Sequence, residues 1–68
     1  MEWTYLDSSW IEAARVNHEE NYLEIKFKSG KCFRYDGAAE HFDGLISGSA
    51  GSYFHQNLKT WPYTEFLE

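Results

Sequence analysis

The sequence has little of what holds small secreted proteins together. One cysteine, Cys32, and one proline, Pro62, occur in 68 residues. A single thiol cannot close an intrachain disulfide, which excludes the stapled scaffolds of oxidising compartments. No apolar run approaches the roughly 20 residues a membrane-spanning helix needs. The opening MEWTYLDSSW lacks a basic stretch followed by an apolar one, so no secretory leader is expected and a cytoplasmic location is the default. His18, His41 and His55 share no metal-ligand spacing, and no second cysteine joins Cys32, so neither metal nor cofactor is expected. Positive charge is scarce as well: six Lys and Arg face eleven Asp and Glu, a net charge of −5 that repels polyphosphate at long range.

Aromatic residues are plentiful. Three tryptophans, five tyrosines and five phenylalanines can each bury roughly 150–250 Å². A chain this short hides only about 60% of its unfolded surface, so a dense aromatic core is what would stabilise it. The length allows a single domain over residues 1–68.

Residues 22–28, YLEIKFK, alternate cleanly, with Leu23, Ile25 and Phe27 on one face and Glu24, Lys26 and Lys28 on the other. CFRY resumes the pattern after Ser29 and Gly30. A three-residue loop, Lys28 to Gly30, places Gly30 where a left-handed residue is required. It pairs Ile25 with Phe33, Leu23 with Tyr35, Glu24 with Arg34 and Lys26 with Cys32, leaving each face uniform in character. A further strand over residues 10–17 has no clean alternation.

Phe42, Leu45 and Ile46 form one stripe of a short helix, with Gly48 expected as its left-handed stop. Ser49 suits the N-cap of a second helix carrying Phe54, Leu58 and Trp61, which Pro62 closes. Strands followed by helices predict an α+β fold: an antiparallel meander of about three strands with two short helices packed on one face.

The run from Ser8 to Trp61 resembles a KTSC domain, the family named from the C-terminal extension of some lysyl-tRNA synthetases and found also in small bacterial and phage proteins. The resemblance rests on Ser8-Ser9, Leu23-Ile25-Phe27, Ser29-Gly30, Phe33-Arg34-Tyr35, and then Ser49, Gly51, Tyr53, Phe54, Leu58 and Lys59. Phe33 replaces the first of two tyrosines usual in the family, Ala38-Ala39 replaces a valine-proline, and His55 replaces an asparagine. The resemblance implies a KTSC-like core over about 8–61 with aromatic extensions at both ends. Through the synthetase context it also implies a link to RNA.

Ser49, Gly51 and Ser52 read as a capping corner and a close approach of two helices rather than as a phosphate loop. Lys59 would lie roughly 12 Å along a helix from Gly51, at the wrong end of its dipole. Phe33 and Tyr35 share a face with Leu23 and Ile25, so burial is expected rather than base stacking. Lys26, Lys28, Lys31 and Arg34 are the candidate nucleic-acid patch, set against the reading of a solvated sheet face. Trp3, Tyr5, Trp10, Trp61, Tyr63 and Phe66 are the candidate protein-interaction residues, or else a mutual clasp of the two chain ends. A lone cysteine inside a strand reads as an inert thiol, and no catalytic residue is assigned. The sequence is therefore read as a non-enzymatic binding module, with a protein partner ranked above RNA.

Overall fold

The computed structural model describes residues 2–68. Five strands form one antiparallel sheet in the order of the chain: β1 (Thr4–Tyr5), β2 (Ile11–Asn17), β3 (Tyr22–Phe27), β4 (Cys32–Asp36) and β5 (Thr64–Phe66). Between β4 and β5 run a 3₁₀ turn (Ala39–His41) and two short helices, α1 (Phe42–Ile46) and α2 (Ala50–Asn57). The class is α+β as expected, with five strands instead of about three. The two additional strands are short edge pairings that contribute backbone hydrogen bonds and mostly exposed side chains. They therefore carry no hydrophobic alternation to read.

The central hairpin has the predicted register. Leu23 faces Tyr35, Glu24 faces Arg34, Ile25 faces Phe33 and Lys26 faces Cys32. Phe27 N donates to Lys31 O at 2.9 Å, and Gly30 N to Phe27 O at 2.9 Å, closing the three-residue loop. Gly30 takes φ +98°, a conformation glycine adopts without steric cost.

The irregular pattern of β2 has a cause. Ile11 pairs with Phe27 and Ala13 with Lys26, so two steps on β2 oppose one step on β3. This bulge leaves Glu12 as the extra residue and keeps Ile11, Ala14 and Val16 on the face of Leu23 and Ile25.

The helices cover that face. Leu45, Ala50, Phe54 and Leu58 close over Ile11, Ala14, Leu23, Ile25 and Tyr35. Ser49 caps α2, its side chain accepting from Ser52 N. Two expectations fail at α1. Ile46 is 39% exposed, because a five-residue helix has room for one buried turn position and Leu45 takes it. Gly48 is not left-handed either; among the described residues the glycines with positive φ are Gly30 and Gly37. The end of α1 is tied instead by Ser47, whose amide and hydroxyl both donate to Asp43 O.

The close approach of the helices is made by Gly44, where a methyl group would overlap the Tyr53 ring. Gly51, expected at that contact, faces the Trp10 indole instead. Tyr53 is held further by its hydroxyl, 2.8 Å from His41 Nδ1.

Candidate functional site: an aromatic groove with a lysine rim

On the outer face of the sheet, away from the helices, the charges are largely matched. Glu24 lies in the middle of the central strand, only 1% exposed, with Arg15 on one neighbouring strand and Arg34 on the other. Arg15 Nε donates to its carboxylate at 2.6 Å, and Arg34 donates through Nε at 3.0 Å and Nη2 at 2.9 Å. Trp3 lies over Arg15 and Lys26, and Tyr22 over Arg34. Lys26 pairs with Glu68, which also accepts from the Trp3 indole N–H. The hydrogen bond from Lys26 holds the Glu68 carboxyl below its usual range and, conversely, raises Lys26. Cys32 sits beneath this cover as a buried free thiol, and burial pushes its pKa up, which disfavours the reactive thiolate.

The helix side of the sheet is different at its hairpin end. There the helices leave part of the sheet uncovered, and a groove of about 590 Å³ opens between the β3–β4 loop, the segment before β2, the end of α2 and the segment before β5. Its aromatic lining is Trp10, Phe27, Phe33, Tyr35, Phe54 and Tyr63. These rings form one connected chain. Trp10 stacks on Phe27 at 5.7 Å and meets Phe54 edge-on at 5.3 Å. Phe27 meets Phe33 at 5.3 Å, and Phe33 lies against Tyr63 at 4.5 Å. Tyr35 forms the buried end of the groove, where desolvation raises its phenol well above the ordinary value. Tyr63 stands 56% exposed at the mouth.

Lys28, Lys31 and Lys59 also line the groove. They come from two separate elements, the hairpin loop and the residues after α2. Among the described residues none of the three makes an ion pair, whereas Arg15, Lys26 and Arg34 all do. The candidate cationic patch is thus divided: Lys26 and Arg34 are engaged on the outer face, while Lys28 and Lys31 turn with Lys59 to the groove.

The terminal aromatics do not gather into one clasp. Trp10 and Tyr63 belong to the groove, while Trp3, Tyr5 and Phe66 belong to the edge strands β1 and β5 and their flanks. Trp61 packs on His41, and its indole N–H donates to Asp36 O at 2.9 Å. Trp3 and Glu68 do meet across the outer face, so the ends touch through an indole and a carboxylate instead of ring on ring. The family-motif residues divide in a similar way. Phe33, Tyr35, Phe54 and Lys59 line the groove, whereas Ser49, Gly51, Tyr53 and Leu58 build the helix corner that supports it.

A second, polar cleft of about 390 Å³ lies at the start of α2, between Ser8, Ser9, Ser49, Ser52 and His55. Two of its serines are occupied: Ser8 Oγ accepts from the amides of Trp10 and Ile11, and Ser49 Oγ from that of Ser52. Lys59 lies in the other groove. The glycine-serine stretch is a corner.

The KTSC domain family model matches residues 7–63. The chain belongs to the KTSC family. A solved KTSC domain protein from Yersinia pestis is similar in fold, with a TM-score of 0.87 over 96% of each chain at 22% identity. No curated protein matches the sequence. All the residues that line the groove fall within the matched KTSC region, whereas Trp3, Phe66 and Glu68 of the outer face lie beyond it. Among the described residues no cluster of metal-ligating side chains occurs, and no helix is long and apolar enough to cross a membrane.

Proposed function

We propose that this KTSC domain is a non-catalytic binding module that receives a segment of a protein partner in the aromatic groove. The observation that carries this reading is the convergence of six aromatic rings with the three lysines that make no ion pair among the described residues. A concave, mostly apolar surface of a few hundred cubic ångströms with a few polar groups is the usual form of a recognition site. Trp and Tyr, represented in the groove by Trp10, Tyr35 and Tyr63, are enriched among the few residues that carry most of the binding energy at protein interfaces. The alternative, RNA contact through the hairpin, is weakened by the ion pairs of Lys26 and Arg34, which leave two of its four cations free for phosphate.

The test is backbone amide NMR with N-acetyl-tryptophanamide and, separately, a short single-stranded RNA, at low and moderate salt. The reading expects the uncharged aromatic probe to move the amides of residues 27–33, 54–59 and 63 with little effect of salt. RNA-induced shifts confined to residues 24–35 that fade with salt would replace it with the nucleic-acid reading. Shifts confined to β1, β5 and their flanks would move the interaction surface to the outer face.

A further inference from the structure

We infer that the occupant of the groove is a short acidic segment of another protein, presenting one aromatic side chain flanked by carboxylates. The inference rests on the groove being the recognition surface and adds the chemistry of what enters it.

Charge is the first argument. The chain carries a net −5, yet the three lysines that make no ion pair among the described residues lie at a single groove. Arg15, Lys26 and Arg34 are consumed by Glu24 and Glu68 on the opposite face of the sheet. Glu65, opposite Phe33 on β5, is a carboxylate on that side of the sheet; against three lysines it leaves the groove a local positive site on an acidic molecule. Because its lysines come from the hairpin loop on one side and from the end of α2 on the other, carboxylates on both flanks of a central residue would find partners.

Ring geometry is the second. A platform for unpaired bases offers flat, open ring faces and a track of cations along the backbone. Here Tyr63 lies over Phe33 at 4.5 Å and Trp10 over Phe27 at 5.7 Å, so one face of each of these rings is already taken. Phe54 stands edge-on to Trp10, Phe27 and Tyr35. A set of edges and partly covered faces suits one inserted ring, which prefers offset and edge-to-face neighbours. The lysines that line the groove, compact point charges, would meet carboxylate and phosphate alike, so the rings and not the cations favour a side chain over a base.

Electrostatic range supplies a signature. At about 10 mM salt the Debye length is about 30 Å, comparable with the 28 Å long axis of the molecule. An acidic segment then feels the repulsion of the whole chain as well as the pull of the lysines, and added salt screens both. A short acidic peptide also has no condensed counterion atmosphere to release, unlike a nucleic acid, so its affinity changes little with salt. RNA held by phosphate contacts to three lysines would lose about three-hundredfold between 10 and 150 mM.

The experiment titrates three probes into the isotope-labelled protein at about 10 and about 150 mM salt. They are a blocked pentapeptide with phenylalanine between glutamate pairs, the same peptide with lysines for glutamates, and hexauridylate. The inference expects the acidic peptide to move the groove amides with an affinity that changes less than about tenfold between the two salts, and the basic peptide to bind more weakly. Lys28→Glu, Lys31→Glu and Lys59→Glu together should weaken the acidic peptide by about tenfold or more. The free variant should keep its dispersed amide spectrum, since these lysines form no ion pair. Equal binding of both peptides, or an unchanged affinity in the triple variant, overturns the acidic segment and leaves the groove as a protein-binding surface. Hexauridylate moving the same amides more tightly than either peptide, with a steep salt dependence, overturns it in favour of nucleic acid. If no probe moves the groove, the inference and the groove reading fall together.

Discussion

The indole of Trp10 lies so close to the backbone of Gly51 that a methyl group there would stand 2.9 Å from its nitrogen. Trp10 has little room to retreat, because its ring is also packed against Phe27 and Phe54. Gly51→Ala therefore sets two effects against each other. Alanine in a helix gains up to about 1 kcal/mol over glycine, while overpacking typically costs about 1–3 kcal/mol. The clash should win, lowering the melting temperature by about 4–8 °C per kcal/mol of net loss and altering tryptophan emission. A melting temperature equal to or above that of the parent would show that the indole gives way freely.

Glu24 is a buried carboxylate whose charge is matched from both neighbouring strands. Replacing Arg15 and Arg34 together by methionine strands that charge and should destabilise the fold by about 3–5 kcal/mol. Glu24→Leu in the same background removes the stranded charge and should restore most of the loss. Denaturant melts of the parent, double and triple variants decide the matter. A triple variant no more stable than the double would mean that the arginines contribute chiefly by packing their stems.

The contact among Trp3, Lys26 and Glu68 sets a pH window. Lys26 and Trp3 hold the Glu68 carboxyl below its ordinary 4.5, so its contribution is complete above that value and is lost as pH falls through the lower folded value. Lys26 is raised above 10.5 by the same carboxylate, so its contribution is complete below that pH and disappears as pH rises through the higher folded value. The Trp3 indole proton should therefore keep one chemical shift between the ordinary carboxylate and ammonium ranges and move on acidification below the ordinary carboxylate value. Glu68→Gln should flatten that acid titration without unfolding the sheet, and an unaltered titration in the variant would assign the change to another carboxyl.

Leu58→Ala and Ile46→Ala separate the two apolar stripes of the helices. Leu58 is fully buried in the core, and its truncation should cost about 2–5 kcal/mol. Ile46, at 39% exposure, should lose about 0.5 kcal/mol or little more. Thermal melts that ranked the two losses in the opposite order would place α1, and not α2, at the centre of the core.

By itself the sequence determined the elements whose causes are local. The register of the β3–β4 hairpin follows from a period-two pattern and one glycine, and the start of α2 follows from a serine that can accept a backbone proton. Tyr35, Phe54 and Leu58 were legible as core for the same reason, since their spacing puts them on the faces that pack. Tertiary structure decided the rest. The bulge at Glu12 hides the alternation of β2. The edge strands β1 and β5 are held by backbone hydrogen bonds that leave little trace in side-chain pattern. The division of the cations depends on Glu24 and Glu68, and Glu68 is 42 residues from Lys26 in the chain although the two side chains meet. The groove joins Trp10, the hairpin, the end of α2 and Tyr63, segments with no shared periodicity. They meet only because the chain turns back after Pro62 to add β5 beside β4. Local patterns report which face a residue takes; which distant residues share a surface is settled by how those faces are brought together.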